Sequence, residues 1–86
     1  MKIYEMKDFE YECKKLYVEH YNLSHENKIT LGDVFTVWSC KTLQNFKCLI
    51  SDSTPKSGVY AEYTYNGDKG ELYEDIYMKT YNARHK

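Results

Sequence analysis

The stretch VFTVWSCKTLQNFKCLISD, residues 34–52, decides the fold. It is rich in β-branched and aromatic side chains, which sit well on a pleated, half-buried surface and crowd a helical turn. Val34 to Leu43 therefore reads as a strand, flanked too closely by turns to be a long helix. Residues 46–52 read as a second strand. The two residues between them, Gln44 and Asn45, predict a tight hairpin in which asparagine tolerates positive φ.

Outward toward the C-terminus, Asp52-Ser53-Thr54-Pro55-Lys56-Ser57-Gly58 is a loop by every local signal. Residues 58–66 resume strand chemistry, with Val59, Ala61, Tyr63 and Tyr65 on one face and Tyr60, Glu62 and Thr64 on the other. Asn66-Gly67-Asp68-Lys69-Gly70 is the strongest turn signal in the chain. Segment 71–81 has two readings, because Tyr73, Ile76, Tyr77, Thr80 and Tyr81 fit a helical stripe while Tyr73, Tyr77 and Tyr81 also share one strand face. The strand is preferred, since the preceding turn asks for an antiparallel partner and four strands bury one sheet face better than three.

Outward toward the N-terminus, Thr30 stands three residues ahead of Asp33, a spacing that caps one short helical turn. Before it, Met6, Phe9, Cys13, Leu16, Tyr17, His20 and Tyr21 recur at spacings of three and four, with charged residues in the gaps. That is an amphipathic helix over about residues 6–21, with Asp8 near its positive end and Asn22 with Ser24-His25-Glu26-Asn27 stopping it. The expected architecture is α+β, one helix packed on a four-stranded antiparallel β-meander, in one domain over residues 1–86.

Eighty-six residues support one core and no second domain. Twelve basic and 13 acidic residues leave no strong field of one sign to recruit DNA or anionic lipid. No segment has the length and apolarity of a signal peptide or a bilayer span, so a cytoplasmic location without membrane attachment is expected. The three cysteines, Cys13, Cys40 and Cys48, form neither a disulfide framework nor a C-x-x-C pair, and are expected to be reduced and mostly buried.

The run Val37-Trp38-Ser39-Cys40-Lys41-Thr42-Leu43-Gln44-Asn45-Phe46-Lys47, with Tyr63-Thr64-Tyr65-Asn66-Gly67-Asp68-Lys69, resembles a family of small uncharacterised proteins of phages and prophages of Gram-positive bacteria. The likeness covers roughly residues 6–82. It implies a bacterial host cell and an accessory protein that grips a host or phage macromolecule. It supplies no activity and no catalytic residues.

Read for chemistry, the chain offers little that is organised. Its cysteines, its three histidines and its scattered carboxylates show no nucleophile–base spacing, so no enzyme is expected. Glu19-His20 with His25-Glu26 lacks a third metal ligand, and Glu71, Glu74 and Asp75 are as well explained by a solvated strand end as by a hard cation. None of the four glycines opens a helix after a strand, so no phosphate cradle is expected and no cofactor.

Ten tyrosines are the compositional outlier. One helix cannot cover both faces of a sheet, so some aromatic side chains should face water, where they offer large contact area at low entropy cost. The candidate binding residues are Trp38, Lys41, Lys47, Tyr60, Tyr63, Tyr65, Tyr73, Tyr77 and Lys79. The bland alternative is that they only stiffen the sheet through cross-strand pairs. The expected function is a non-catalytic protein-binding module whose partner is a host or phage protein or a second copy of the chain. The alternative is a single-stranded nucleic-acid binder with bases on the aromatics and phosphates along the lysines, which Glu62, Glu71, Glu74 and Asp75 disfavour by repulsion.

Overall fold

Phe9, Cys13, Tyr17 and Tyr21, spaced four apart, are the buried stripe of helix α1, Met6–Ser24. We describe residues 2–54 and 57–85 from a computed structural model. Asp8 stands in the first turn of α1, as expected. The helix continues to Ser24, past the predicted end at 21, because its last carbonyls find donors beyond it: Lys28 Nζ donates to the carbonyls of Asn22 at 2.6 Å and His25 at 3.0 Å. The Asn22 side chain clamps the returning chain, accepting from Ile29 N at 2.9 Å and donating to Ile29 O at 3.0 Å.

Thr30 and Asp33 form the predicted capping box, around a 3₁₀ turn at Leu31–Asp33. Four strands follow, β1 (Val34–Thr42), β2 (Asn45–Asp52), β3 (Val59–Asn66) and β4 (Glu71–Met78), paired antiparallel in the order β1-β2-β3-β4. This is the predicted α+β meander.

Two local expectations are corrected. The first hairpin turns through Leu43 and Gln44, with Leu43 at φ 56°, so the positive φ falls on leucine and not on Asn45. Asn45 instead pairs with Thr42 and accepts a hydrogen bond from Gly67 N at 2.9 Å, tying the first turn to the third. Gly67 is required there, since a Cβ at that position would lie 2.1 Å from Gln44 O. Segment 71–81 is a strand and not a helix, but it stops at Met78: Gly58, at φ 65°, stands just before the first residue of the neighbouring strand, and Lys79 N closes the pairing on Gly58 O at 2.8 Å. Pro55 and Lys56 of the predicted loop lie outside the described residues.

The helix lies on one face of the sheet. Phe46, Cys48, Ile50 and Asp52 of β2 and Val59, Ala61, Tyr63 and Tyr65 of β3 point toward it and are buried. Phe9 stacks on Phe46 with ring centroids 5.3 Å apart, and Phe46 meets Tyr65 at 6.0 Å. Full burial of each such ring contributes about 1.5–3 kcal/mol. Two phenols close the core with hydrogen bonds: Tyr17 to the Asp52 carboxylate at 2.5 Å and Tyr63 to Glu74 at 2.6 Å. Asp52 also accepts from Thr54 N and Ser57 Oγ, so its lone pairs are occupied by the loop it anchors. The molecule measures only 18 Å across its thinnest direction, enough for one helix on one sheet and nothing beyond.

Candidate functional site: the open face of the sheet

The pairing register assigns the side chains of the other face row by row. Phe35, Ser51, Tyr60 and Tyr77 form one row across the four strands; Trp38, Leu49, Glu62 and Asp75 form the next. Cys40, Lys47, Thr64 and Tyr73 make the third row, and the pairs Thr42–Asn45 and Asn66–Glu71 close that end of the sheet. The first two rows gather Phe35, Trp38, Leu49, Tyr60 and Tyr77 at one end of the face. Phe35, Trp38 and Tyr77 are 46%, 43% and 42% exposed, a contiguous apolar surface of the kind that marks interaction sites.

A β-bulge makes this cluster. The β1–β2 register slips between Thr36 and Trp38, leaving Val37 unpaired. Simple alternation would put Phe35 and Trp38 on opposite faces; the extra residue puts both on the open one. Tyr60 and Tyr77, directly opposite each other, stack at 5.2 Å with 15° between their planes, so each ring restrains the other.

The structure divides the predicted site residues. Trp38, Tyr60, Tyr73 and Tyr77 share the open face, and Lys47 joins them, paired with Glu62 at 3.5 Å. Tyr63 and Tyr65 do not belong to it: they are 0% and 1% exposed and form the core, because their strand positions alternate with those of Tyr60 and Glu62. Lys41 lies opposite Phe46 on the helix side, its Nζ 5.4 Å from the Phe46 ring centroid and donating to Leu43 O. Lys79 follows the last paired residue of β4 and borders a hollow with Ser51 and Tyr60 at the sheet end. Phe35 and Leu49 belong to the surface and were missed, Phe35 because the bulge is not legible and Leu49 because a lone leucine in a strand carries no signal.

The electrostatics of the open face are acidic. Lys47 is committed to Glu62, while Glu71 and Asp75 have no ion-pair partner among the described residues. Glu71 accepts a hydrogen bond from Tyr73, and that contact holds the Tyr73 phenol above its usual range. Three lysines lined up for a phosphate backbone are therefore not present on this face.

Cys40 is exposed on the open face, contrary to the expectation for cysteines, whereas Cys13 and Cys48 are buried against each other between α1 and β2. The hydrogen bond to Cys48, followed by burial, pushes the Cys13 thiol up, which suppresses the thiolate a nucleophile needs. His20 is exposed beside an apolar pocket of about 130 Å³ between the end of α1 and the end of β4. His25 stacks on Tyr21 at 3.6 Å and its Nδ1 lies 2.9 Å from Tyr21 O. Among the described residues, no three His, Cys, Asp or Glu side chains are placed to share a metal ion, and no helix is long and apolar enough to cross a membrane.

A model of a family of unknown function (DUF6275) matches residues 10–86. No curated protein and no solved structure matches the chain. The chain belongs to that family.

Proposed function

We propose that this family member is a non-catalytic protein-binding module that docks a partner on the open face of its sheet. The observation that carries the reading is the cluster Phe35, Trp38, Leu49, Tyr60 and Tyr77 on a face that no element among the described residues covers. Rigid rings on a sheet lose little entropy when contacted, and aromatic residues are enriched in the buried centre of interfaces. The near-neutral charge of the chain, 12 basic against 13 acidic residues, suits an interface that does not depend on long-range attraction. The face itself, with Glu62, Glu71 and Asp75 against Lys47, argues for a protein over a nucleic acid, whose phosphates it would repel.

The resemblance of the Val37–Lys47 and Tyr63–Lys69 phrases to small phage and prophage proteins is the ground for seeking that partner in a bacterial cytoplasm. There the chain would act as an accessory protein that modulates a host or phage protein.

The face carries its own probes. Trp38 is the sole tryptophan and Cys40 the exposed thiol, and both lie on it. A partner recovered from host extract should shift the Trp38 emission to the blue and slow alkylation of Cys40. The double variant Trp38→Ser, Tyr77→Ser should keep the native circular dichroism and lose the partner. Recovery of the same partner by that variant would move the site off this face. Retention on single-stranded DNA that fails with added salt would instead support the nucleic-acid alternative.

A further inference from the structure

The two edges of the sheet are not alike. β1 and β4 each pair on one side only, and an edge strand exposes a row of unpaired N–H and C=O groups unless a bulge, a proline, a lysine or a covering element blunts it. β1 is blunted by its bulge at Val37 and by Lys41. β4 keeps eight consecutive pairs with β3, from Asn66–Glu71 to Val59–Met78, and contains neither proline nor lysine. Among the described residues, no other backbone segment pairs with its outer side.

The side chains of β4 state what would pair there. Glu71, Glu74 and Asp75 are exposed, the strand has no basic residue, and none of the three is in an ion pair among the described residues. These charges reject a second copy, because an antiparallel β4–β4 pairing about a two-fold axis near the middle of the strand, in which opposite residues share a face, sets Glu74 or Asp75 directly opposite the same carboxylate of the copy. They select a partner of opposite sign. Glu74 faces the helix side and Asp75 the open side, so two consecutive basic residues, whose side chains also alternate, would meet both. At the Met78 end, the apolar pocket of about 130 Å³ is bordered by Ile76 and Met78 of the edge strand and by Val59, His20, Tyr21 and His25, and offers an apolar contact beside that strand.

We infer that β4 captures an extended basic segment of a partner protein by strand addition, with consecutive basic residues against Glu74 and Asp75 and an apolar residue against the pocket beside Met78. This rests on the reading of the chain as a protein-binding module and adds the partner's chemistry and its mode of attachment. Main-chain hydrogen bonds supply the affinity, and the alternating side chains supply the specificity.

The test uses the full chain and the synthetic peptide Leu-Thr-Val-Lys-Arg-Thr-Val, which in antiparallel register sets Leu opposite Met78, Lys opposite Asp75 and Arg opposite Glu74. Binding is read by fluorescence anisotropy of the labelled peptide, and its location by amide hydrogen exchange of residues 71–78. Binding with protection of β4 is expected. Replacing Lys-Arg by Glu-Asp should weaken it about tenfold or more, and so should N-methylation of alternate peptide bonds, which removes donors but keeps every side chain. Asp75→Lys should weaken the basic peptide and improve the acidic one, with circular dichroism unchanged. Absence of binding, equal binding of both peptides, or indifference to N-methylation would overturn the inference. A partner that still covers Trp38 in that event would leave the open-face reading standing, so the two fail separately.

Discussion

Raising the pH should unfold this protein over a narrow alkaline range, and three buried groups set the magnitude. Tyr17 and Tyr63 are 1% and 0% exposed, and burial, then the hydrogen bonds to Asp52 and Glu74, push both phenols above their ordinary value of 10.0. The Cys13 thiol is pushed above its ordinary 9.0 by the hydrogen bond to Cys48 and by burial. Each is an acid kept neutral by the fold, so as pH rises the unfolded chain releases these protons first and binds fewer than the native state. Stability is then complete below the ordinary values and falls above them. Each group removes about 1.4 kcal/mol per pH unit once its ordinary value is passed. Between about pH 8 and about pH 11 the three together cost about 5–6 kcal/mol, comparable with the whole stability of a small domain. Urea unfolding followed by circular dichroism at a series of pH values measures this directly. Tyr63→Phe is the cleanest variant, because Glu74 is exposed and water replaces the lost donor; it should make the slope above about pH 10 shallower by about 1.4 kcal/mol per unit. Wild-type stability that stays flat across this range, or a Tyr63→Phe slope equal to the wild type's, would refute the reasoning.

Thr36→Val should raise stability by about 1 kcal/mol, seen as a higher urea midpoint, because Thr36 Oγ1 is buried with no hydrogen-bond partner among the described residues and valine keeps its shape. Gly67→Ala should lower stability by about 1–3 kcal/mol, since the added Cβ would collide with backbone at Gln44 O, and hydrogen exchange should show the first and third turns opening together. A Gly67→Ala protein as stable as the wild type would mean that the two turns are not in contact.

Much of the fold was legible because it rests on local chemistry. The four-residue spacing of Phe9, Cys13, Tyr17 and Tyr21 identifies both the helix and the face it buries, and the Thr30–Asp33 spacing identifies the cap. Strict alternation from Val59 to Tyr65 assigns Tyr63 and Tyr65 to one side and Tyr60 to the other. The site was legible only in part. Both sides of β3 carry tyrosine, so composition could not say which side the helix would take, and Tyr63 and Tyr65 entered the candidate surface although they build the core.

The amino-acid sequence by itself determined one amphipathic helix, four β-prone runs and the turns that order them into a meander, because period and turn chemistry act within a few residues. The tertiary structure alone decided which aromatic rings stay wet. Three non-local facts settle that: the side on which α1 packs, the slipped register at Val37 that turns Phe35 and Trp38 to one face, and the glycine at 58 that precedes β3 and lies beside the end of β4 at Met78. Each depends on contacts between segments far apart in the chain, whose free energy no local pattern records.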